Sequence, residues 1–550
     1  MGSVKRVLLG SAAGIVAVAG AQAADLPIKA KPVEYVKVCS LYGAGFWYVP
    51  GTDTCIKIGA FAKLDTFYNA GGGGAITGGG NGVAAITAGR FDRIDTQNFN
   101  WRSRAAISFD IREQTEYGTL RSYVNVGTDH NTSDAGGGTN GFAAVAVFVD
   151  RAFLQFAGFT AGRIRSFFDI VSPGPYGLSN NRTNGDTSAN GIMGIGYTLQ
   201  FGGGLAASIA LEDSGFGGGH GKSIVNLSTT ASTAALGTAG ATLGTLAVGP
   251  MTIGSMTTDN KGQTMFDPVI GLRLDQSWGF VAASGALHDA SGGNYASPAT
   301  GANLGSQFNG VSCPTSGGGV GGSLTGSDAC GHPGDKFGWA GSAGFTLTNL
   351  WGGQDSMGAQ GTYSVGAAGY ATKAFGNHAM FGSGNNVGLG WVAEGVFANG
   401  TQIELTTVWS MYGFYEHYWT PKFRSSLYGG IVGVEYSSTA KSMICANPAA
   451  PLGFSNNTPG GAVTNNGAFI NGTVSNCNPD LSWSQLGSRS MWNPVPNLDV
   501  GVDFNWVHLD TAFAGIANLT ASGGRPAAVY TISNQDVFAA YFRIQRNFLY

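Results

Sequence analysis

A strict alternation of polar and apolar side chains is the feature of this 550-residue sequence that most restricts its fold. Between Trp101 and Arg112 the even positions are mostly polar and the odd positions mostly apolar. Successive side chains of a β-strand point to opposite faces, so this segment is predicted to form a strand with one apolar and one polar face. The same pattern returns at residues 120–126, 497–506 and 542–550.

Two architectures are built from such strands: a soluble β-sandwich, which buries the apolar face, and a transmembrane β-barrel, which turns that face toward lipid. Composition favours the barrel, because charged residues make up 11% of the chain, whereas soluble domains carry ~25%. Tryptophans also lie near predicted strand ends, as at Trp101, Trp278 and Trp419. Aromatic girdles of this kind are typical of membrane barrels.

The predicted connections between strands alternate in length. Short turns are predicted at 116–118, 202–204 and 493–496. Long connections rich in Gly, Ser, Thr and Asn are predicted at 213–263, 290–335 and 439–481. Short turns at one end and long loops at the other indicate an all-β fold: a transmembrane antiparallel β-barrel of about sixteen strands, with fourteen or eighteen as alternatives. The barrel is expected to cover residues 56–550.

The amino terminus has the three parts of a secretory signal peptide. Positive residues at 5–6 precede an apolar stretch at 7–20, and the small residues at 21–23 provide a cleavage site. We therefore predict a signal peptide at 1–23, followed by a short amino-terminal segment at 24–55. A membrane anchor is the alternative, but the apolar stretch is short and contains glycine.

Six cysteines, an even number, fit an exported and oxidised protein. Sequence alone leaves their connectivity open. We expect nearest neighbours to pair, because each bond would close one local segment: Cys39–Cys55, Cys313–Cys330 and Cys445–Cys477. The chain contains no CxxC motif and its seven histidines are scattered, so neither a metal site nor a cofactor is predicted.

Several segments of the sequence resemble the alpha-proteobacterial general porin family. They are VCSLYGAGFWYVPGTDTCIKIG at 38–59, AFLQFAGFTAGR with SFFD at 152–169, and SWSQLGSR with WNPVPNLDVGV at 482–502. The resemblance implies a homotrimer of sixteen-stranded barrels in the bacterial outer membrane that passes small hydrophilic solutes. It also implies, together with position, that residues 166–191 form a third loop folded into the barrel. Family members usually end on an aromatic residue that matches Phe548, whereas this chain continues with Leu549 and Tyr550.

Charged residues near this loop are the candidate pore-lining residues. Alternation predicts that seven arginines line the lumen wall: Arg102, Arg104, Arg112, Arg121, Arg151, Arg163 and Arg165. The loop itself contributes Asp169, Arg182 and Asp186. Walls of opposite charge would set a transverse field that orients dipolar solutes, and rings of charge would tune ion preference. The alternative is that some arginines pair with Asp110, Glu113 or Asp150 and only stiffen the wall.

The expected function is a passive, water-filled diffusion channel for small hydrophilic solutes and ions, with outer-membrane lipid as its surroundings. An outer-membrane barrel that serves mainly as an adhesin or structural surface protein is the alternative, supported by the long polar loops. An enzyme is not expected, because the sequence contains neither GxSxG nor HExxH. The net charge of −3 gives no reason to expect a nucleic-acid partner.

Overall fold

The computed structural model describes most of the chain from residue 38 onward. The described residues are 38–68, 99–131, 145–178, 183–187, 191–213, 220–227, 260–295, 307–308, 311–312, 316–317, 324–325, 331–373, 376–380, 385–398, 400–446, 463–464, 473–519 and 528–548. The predicted signal peptide, Arg182, the Cys313–Cys330 pair and the last two residues lie outside them.

The described strands form one large closed sheet. It contains 17 strands. The two-residue strand Trp47–Tyr48 pairs only with the first residues of Cys55–Tyr68, and the other sixteen strands form the closed ring. In chain order they are β1 (Cys55–Tyr68), β2 (Phe99–Thr115), β3 (Gly118–Asn131), β4 (Val145–Phe156), β5 (Phe159–Ile164), β6 (Ile192–Gly202), β7 (Leu205–Glu212), β8 (Asp267–Gln276), β9 (Gly279–Asp289), β10 (Phe337–Leu350), β11 (Asp355–Val365), β12 (Thr407–Thr420), β13 (Phe423–Glu435), β14 (Leu481–Trp492), β15 (Leu498–Asp510) and β16 (Gln535–Phe548). Each strand pairs antiparallel with the next, and β16 pairs with β1. The predicted sixteen-stranded antiparallel barrel is confirmed.

Alternation along the strands separates an apolar outer face from a more polar inner face. On β2, Trp101 and Ile107 are exposed on the outside, whereas Arg102 between them is buried inside. On β15, Val502 and Phe504 are exposed and Asp503 is buried. A closed barrel has no sheet edge, and its apolar outer side suits hydrocarbon, where each backbone polar group must be paired within the protein.

The turns at one end of the barrel are short, and those at the other end are long. All three predicted short turns lie between consecutive strands: β2 and β3, β6 and β7, and β14 and β15. At Gly204 the turn requires glycine, because its φ is +84° and a Cβ would overlap the Asp275 carbonyl oxygen. The three predicted long connections join β7 to β8, β9 to β10, and β13 to β14.

The long connections contain secondary structure and a hydrophobic core of their own. Their short strands include Ile224–Asn226, Gly376–Met380, Asn386–Val392, Gly395–Phe397, Glu404–Leu405, Val463–Thr464, Thr473–Asn476, Ala514–Leu519 and Ala528–Ile532, and their helices are α1 (Ala368–Ala371) and α2 (Ser438–Ala446). Trp391, Leu389 and Tyr530 are buried in this core. None of the helices in the described part of the chain is long and apolar enough to cross a membrane.

Two disulfides lie within the described residues. Cys39 is bonded to Cys55 at the start of β1, with the Cα atoms 6.1 Å apart. Cys445 of α2 is bonded to Cys477, with the Cα atoms 6.0 Å apart, and both sulfur atoms are buried in the loop core. These are the first and third of the nearest-neighbour pairs. The first bond ties the amino-terminal segment to the start of β1, and the second joins two parts of the connection between β13 and β14.

Candidate functional site

The described residues between β5 and β6, which are 165–178, 183–187 and 191, lie inside the barrel. We call this segment the inward loop. Several hydrogen bonds tie its backbone to side chains on distant strands, and three of them mark its path. They join the Phe168 carbonyl to Ser284 (2.8 Å), the Val171 amide to Gln360 (2.8 Å) and the Leu178 amide to Asp503 (2.5 Å). The partners lie on β9, β11 and β15, so the inward loop crosses the lumen along that side of the wall.

The wall under the first part of the inward loop carries very small side chains. Inward positions of β6 to β10 include Gly194, Gly196, Ala206, Ser208, Ala210, Gly271, Ala282, Ser284, Ala286, Ala340, Ser342 and Gly344. A Cβ on Gly196 would lie 2.6 Å from the Phe167 ring, and one on Gly344 would lie 3.1 Å from Ile170. Small residues therefore leave the space that the inward loop occupies.

Aromatic side chains hold the middle of the inward loop. The Tyr176 ring stacks on Phe414 of β12, with centroids 3.4 Å apart. The Tyr176 carbonyl accepts a hydrogen bond from Ser426 of β13 at 2.6 Å. Ile170 and Val171 pack against the same aromatic group. Buried apolar area and paired backbone groups together keep the loop in one position.

At Leu178 the inward loop reaches the part of the wall where β16 pairs with β1. Leu178 packs against Phe67 of β1 and Tyr541 of β16. The open part of the lumen is therefore bounded by the inward loop on one side and by the inner faces of β16 and β1 to β4 on the other. We call these faces the charged wall, because long ionised side chains occupy them.

The first charge group on this wall surrounds Asp65. Arg102 and Arg543 donate to its carboxylate at 2.6 and 2.5 Å, and the Lys63 ammonium lies 3.7 Å away. The Asp65 side chain is 2% exposed, whereas those of Lys63 and Arg543 are 12% and 16% exposed. The carboxylate lies beneath the cations that it pairs with.

A second charge group lies nearer the short-turn end of the charged wall. Arg112 and Arg121, which are directly opposite each other on β2 and β3, both donate to Asp110 at 2.8 to 2.9 Å. The Arg112 guanidinium also lies 4.9 Å from the Phe46 ring centroid of the amino-terminal segment. One carboxylate thus holds two parallel guanidinium groups in place.

A third charge group depends on a register shift between β3 and β4. Arg104 lies 2.9 Å from Asp150 and 3.4 Å from Asp129. The register shifts between Asn125 and Val126, and this bulge lets Asp150 and Arg151 both face the lumen. Strict alternation would have placed only one of these two neighbours there.

The acids of the inward loop do not face open space. The Asp169 and Asp186 side chains are 1% and 2% exposed, whereas Arg165, which lies 3.7 and 3.3 Å from them, is 41% exposed. Asp169 accepts hydrogen bonds from Thr187, and Asp186 accepts one from Ser172. Burial, and secondarily the charge of Asp186, raises the pKa of the Asp169 carboxyl well above its usual value. These acids connect the two ends of the inward loop.

Arg163 lies on a different face from the other predicted wall arginines. It pairs with Ala152 on β4 and with Met193 on β6, and Met193 is exposed on the outer face. The period-two register therefore places Arg163 in the outward row. The sequence pattern predicts Arg163 on the lumen wall, so the register of β5 differs from that expectation.

Several important residues were not among the sequence candidates. Lys63 and Asp65 alternate with apolar neighbours on β1, and Arg543 belongs to the alternating pattern of β16, so periodicity could have identified all three. Asp503 and Gln360 could not have been identified in this way, because their role depends on the path of the inward loop. No group of metal-ligating side chains is close enough to hold an ion in the part of the chain that the structure describes.

The chain is similar in sequence to known porins over part of its length. Porin Omp2b of Brucella suis is 33% identical over 222 residues, and porin Omp2a of Brucella ovis is 32% identical over 230 residues. Each alignment covers 39% of this chain, and the chain spans only 52% and 60% of these two relatives. Among solved structures, the outer membrane channel DcaP of Acinetobacter baumannii gives a TM-score of 0.49 at 12% identity, covering 91% of this chain and 99% of that one.

The family is shown by a match to almost the whole sequence. The family model described as the porin subfamily matches residues 25–541, which include all sixteen barrel strands except the end of β16. The chain belongs to the porin subfamily and is a β-barrel protein of the bacterial outer membrane.

Proposed function

We propose that this protein is a passive diffusion channel for small hydrophilic solutes and ions. The observation that supports this best is the inward loop, which narrows the lumen and touches the charged wall at Phe67 and Tyr541 while leaving charged side chains partly exposed. Side chains of Arg112, Arg121 and Arg165 remain partly exposed to the lumen. A sixteen-stranded barrel is wide enough to hold water, so an ion can pass without losing most of its hydration.

The charged wall would determine which solutes pass most easily. Its arginines and lysines are held by Asp65, Asp110 and Asp150, so their positions are fixed before a solute arrives. Fixed charges at a constriction orient dipolar solutes and favour ions of opposite sign. Pore-lining roles for Arg102, Arg104, Arg112, Arg121, Arg151 and Arg165 are part of this proposal.

Assembly and export complete the proposal. We infer that residues 1–23 are removed on export and that the mature chain forms a homotrimer, as the family resemblance implies. The partners are outer-membrane lipid around the apolar outer face and the solutes that pass through the lumen. The apolar outer face supports this, since it includes exposed residues such as Phe504 and Ile270 on strands far apart in the sequence.

Planar-bilayer recording tests the function. Purified, refolded protein should produce ion current that rises roughly linearly with voltage, in insertion steps that divide into three equal parts for a trimer. Protein heated until the barrel unfolds serves as the control and should produce none. If folded protein, identified by its faster gel migration before heating, gives no current in repeated insertions, the channel function is wrong.

A further inference from the structure

The charges that face the narrow part of the lumen are not balanced. We propose that the constriction prefers anions, and that Lys63, Arg102 and Arg543 around Asp65 form a binding site for small solutes that carry a carboxylate or phosphate group. This inference rests on the proposed channel function.

The Asp65 group lies at the level of the inward loop. Asp65 is paired with Arg543 in the register of β1 and β16, and the next inward pair along these strands is Phe67 and Tyr541. Leu178 of the inward loop packs on that second pair. An ion that passes the loop therefore also passes the Lys63 and Arg543 side chains.

At this level the carboxylate is more deeply buried than the cations around it, whose side chains are 9% to 16% exposed. Around Asp65 three cationic side chains share one carboxylate that is 2% exposed. On the inward loop, Asp169 and Asp186 are similarly closed off, while Arg165 beside them is the exposed group. In both places the cation is more accessible than the carboxylate, so the loop does not form an acidic wall that would oppose the basic one.

The chemistry of these groups suits oxyanions. A guanidinium group presents two parallel N–H donors that match a carboxylate or phosphate, and an ammonium adds a mobile third donor. Arg543 binds both oxygens of Asp65 through Nε and Nη2, at 2.5 and 3.2 Å, so the group is already oriented and its Nη1–Nη2 edge is the one that would bind an oxyanion. Arg112 and Arg121, which both donate to Asp110, repeat this arrangement nearer the short-turn end. They would provide further positive charge along the route of a passing anion.

Reversal potentials in a KCl gradient test the preference. Unmodified protein should be more permeable to chloride than to potassium. Removing charge in Arg543→Gln should lower the chloride-to-potassium permeability ratio by about fivefold, because Coulomb's law in water at about 8 Å changes the level of each ion by about twofold, in opposite directions. Lys261→Gln is the matched control, because Lys261 has the same charge but lies on a long loop, 2.8 Å from Asp335. It should leave the ratio unchanged.

Inorganic phosphate tests the binding site itself. At constant ionic strength, phosphate should reduce the chloride current of the unmodified channel, and Arg543→Gln should weaken this block. Arg543→Lys keeps the charge without the two parallel donors, so it should keep the chloride preference and lose part of the block. Cation preference in the unmodified channel, or equal shifts in Lys261→Gln, would overturn the inference while leaving the channel function intact. Absence of current in every variant would instead overturn the channel function.

Discussion

The two sides of the inner wall differ in what covers them. On β6 to β10 many inward side chains are glycine, alanine or serine, and the inward loop lies directly on several of them. On β1 to β4 and β16 many inward side chains are long and ionised, and those of Arg112 and Arg121 are partly exposed. Both sides obey the same period-two alternation, so side-chain size at the inward positions decides whether protein or water fills the space.

The two sides also satisfy their polar groups differently. Beside the inward loop, single side chains pair with the loop backbone. Ser284 donates to a carbonyl, whereas Gln360 and Asp503 accept from amides. Without these partners the backbone groups would be buried and unpaired. On the charged wall, carboxylates and cations satisfy one another in groups of three or four. The covered side is therefore sensitive to shape, whereas the charged side is sensitive to charge.

A change of shape on the covered side should have the largest effect. In Gly185→Leu the new Cβ would overlap the carbonyl oxygen of Tyr370, a backbone atom that cannot move aside easily. The end of the inward loop should then leave its position, at a cost near the upper end of the about 1–3 kcal/mol typical of overpacking. Single-channel conductance should rise and the unfolding temperature in detergent should fall.

Gly174→Leu provides the control, because it lies in the same loop and its Cβ would meet no atom within 4 Å. Its conductance and unfolding temperature should stay close to those of the unmodified protein. Equal changes in both variants would show that the inward loop is not held by the contact at Gly185.

The barrel could be predicted because its signals are local. Alternation, short turns and aromatic positions each involve neighbours in the sequence, and the inward loop begins at residue 165, next to the predicted 166. The pairing of charges could not be predicted, because it depends on register between distant strands. Asp65 and Arg543 are 478 residues apart in the sequence and become neighbours only when the barrel closes.

Most of the predicted pore-lining residues lie where the sequence placed them, and the differences between prediction and structure have physical causes. Arg102, Arg104, Arg112 and Arg121 follow the alternation of β2 and β3. Arg163 does not continue it, because each strand has its own parity, fixed by its hydrogen-bonded register. Asp169 and Asp186 lie on the inward loop, as expected, but their side chains are buried in it. A loop has no regular alternation, so the sequence does not show which of its side chains face water.

A change of charge on the charged wall should have an intermediate effect. Asp110→Asn removes the carboxylate that Arg112 and Arg121 share, at a cost of about 1–3 kcal/mol for lost charge-assisted hydrogen bonds. The two cations would then repel each other and present one more positive charge to the lumen. The chloride-to-potassium permeability ratio should rise, and the free energy of unfolding should fall.

The matched control for this variant is Asp275→Asn, which removes a carboxylate from a single arginine, Arg273, on the β8 wall. Its ion pair is well exposed, so its loss should change the free energy of unfolding little. A permeability ratio in Asp110→Asn that falls or stays constant would contradict the distinction between the two walls.

The smallest expected effect is on the pH dependence of stability, and it acts through a histidine that contacts the inward loop. His220, on the connection between β7 and β8, is completely buried, and its ring nitrogens lie 3.1 Å from the Gly369 carbonyl and 3.2 Å from Ser166 of the inward loop. Burial, and secondarily the charge of Lys373, lowers the pKa of His220 well below its usual value. Glu212, 3.8 Å away, Tyr370 and His288 are the other titratable groups that face it.

The folded protein therefore keeps His220 neutral, while the unfolded chain binds a proton below about pH 6.5. The stability that this group contributes is present above that pH and is lost as the pH falls, by up to about 1.4 kcal/mol per pH unit. His220→Gln should remove this part of the acid sensitivity. Asp169, whose raised pKa acts in the opposite direction, is present in both proteins and cancels in the comparison. If unfolding midpoints of the two proteins fall in parallel between pH 7 and pH 5, His220 does not couple the inward loop to pH.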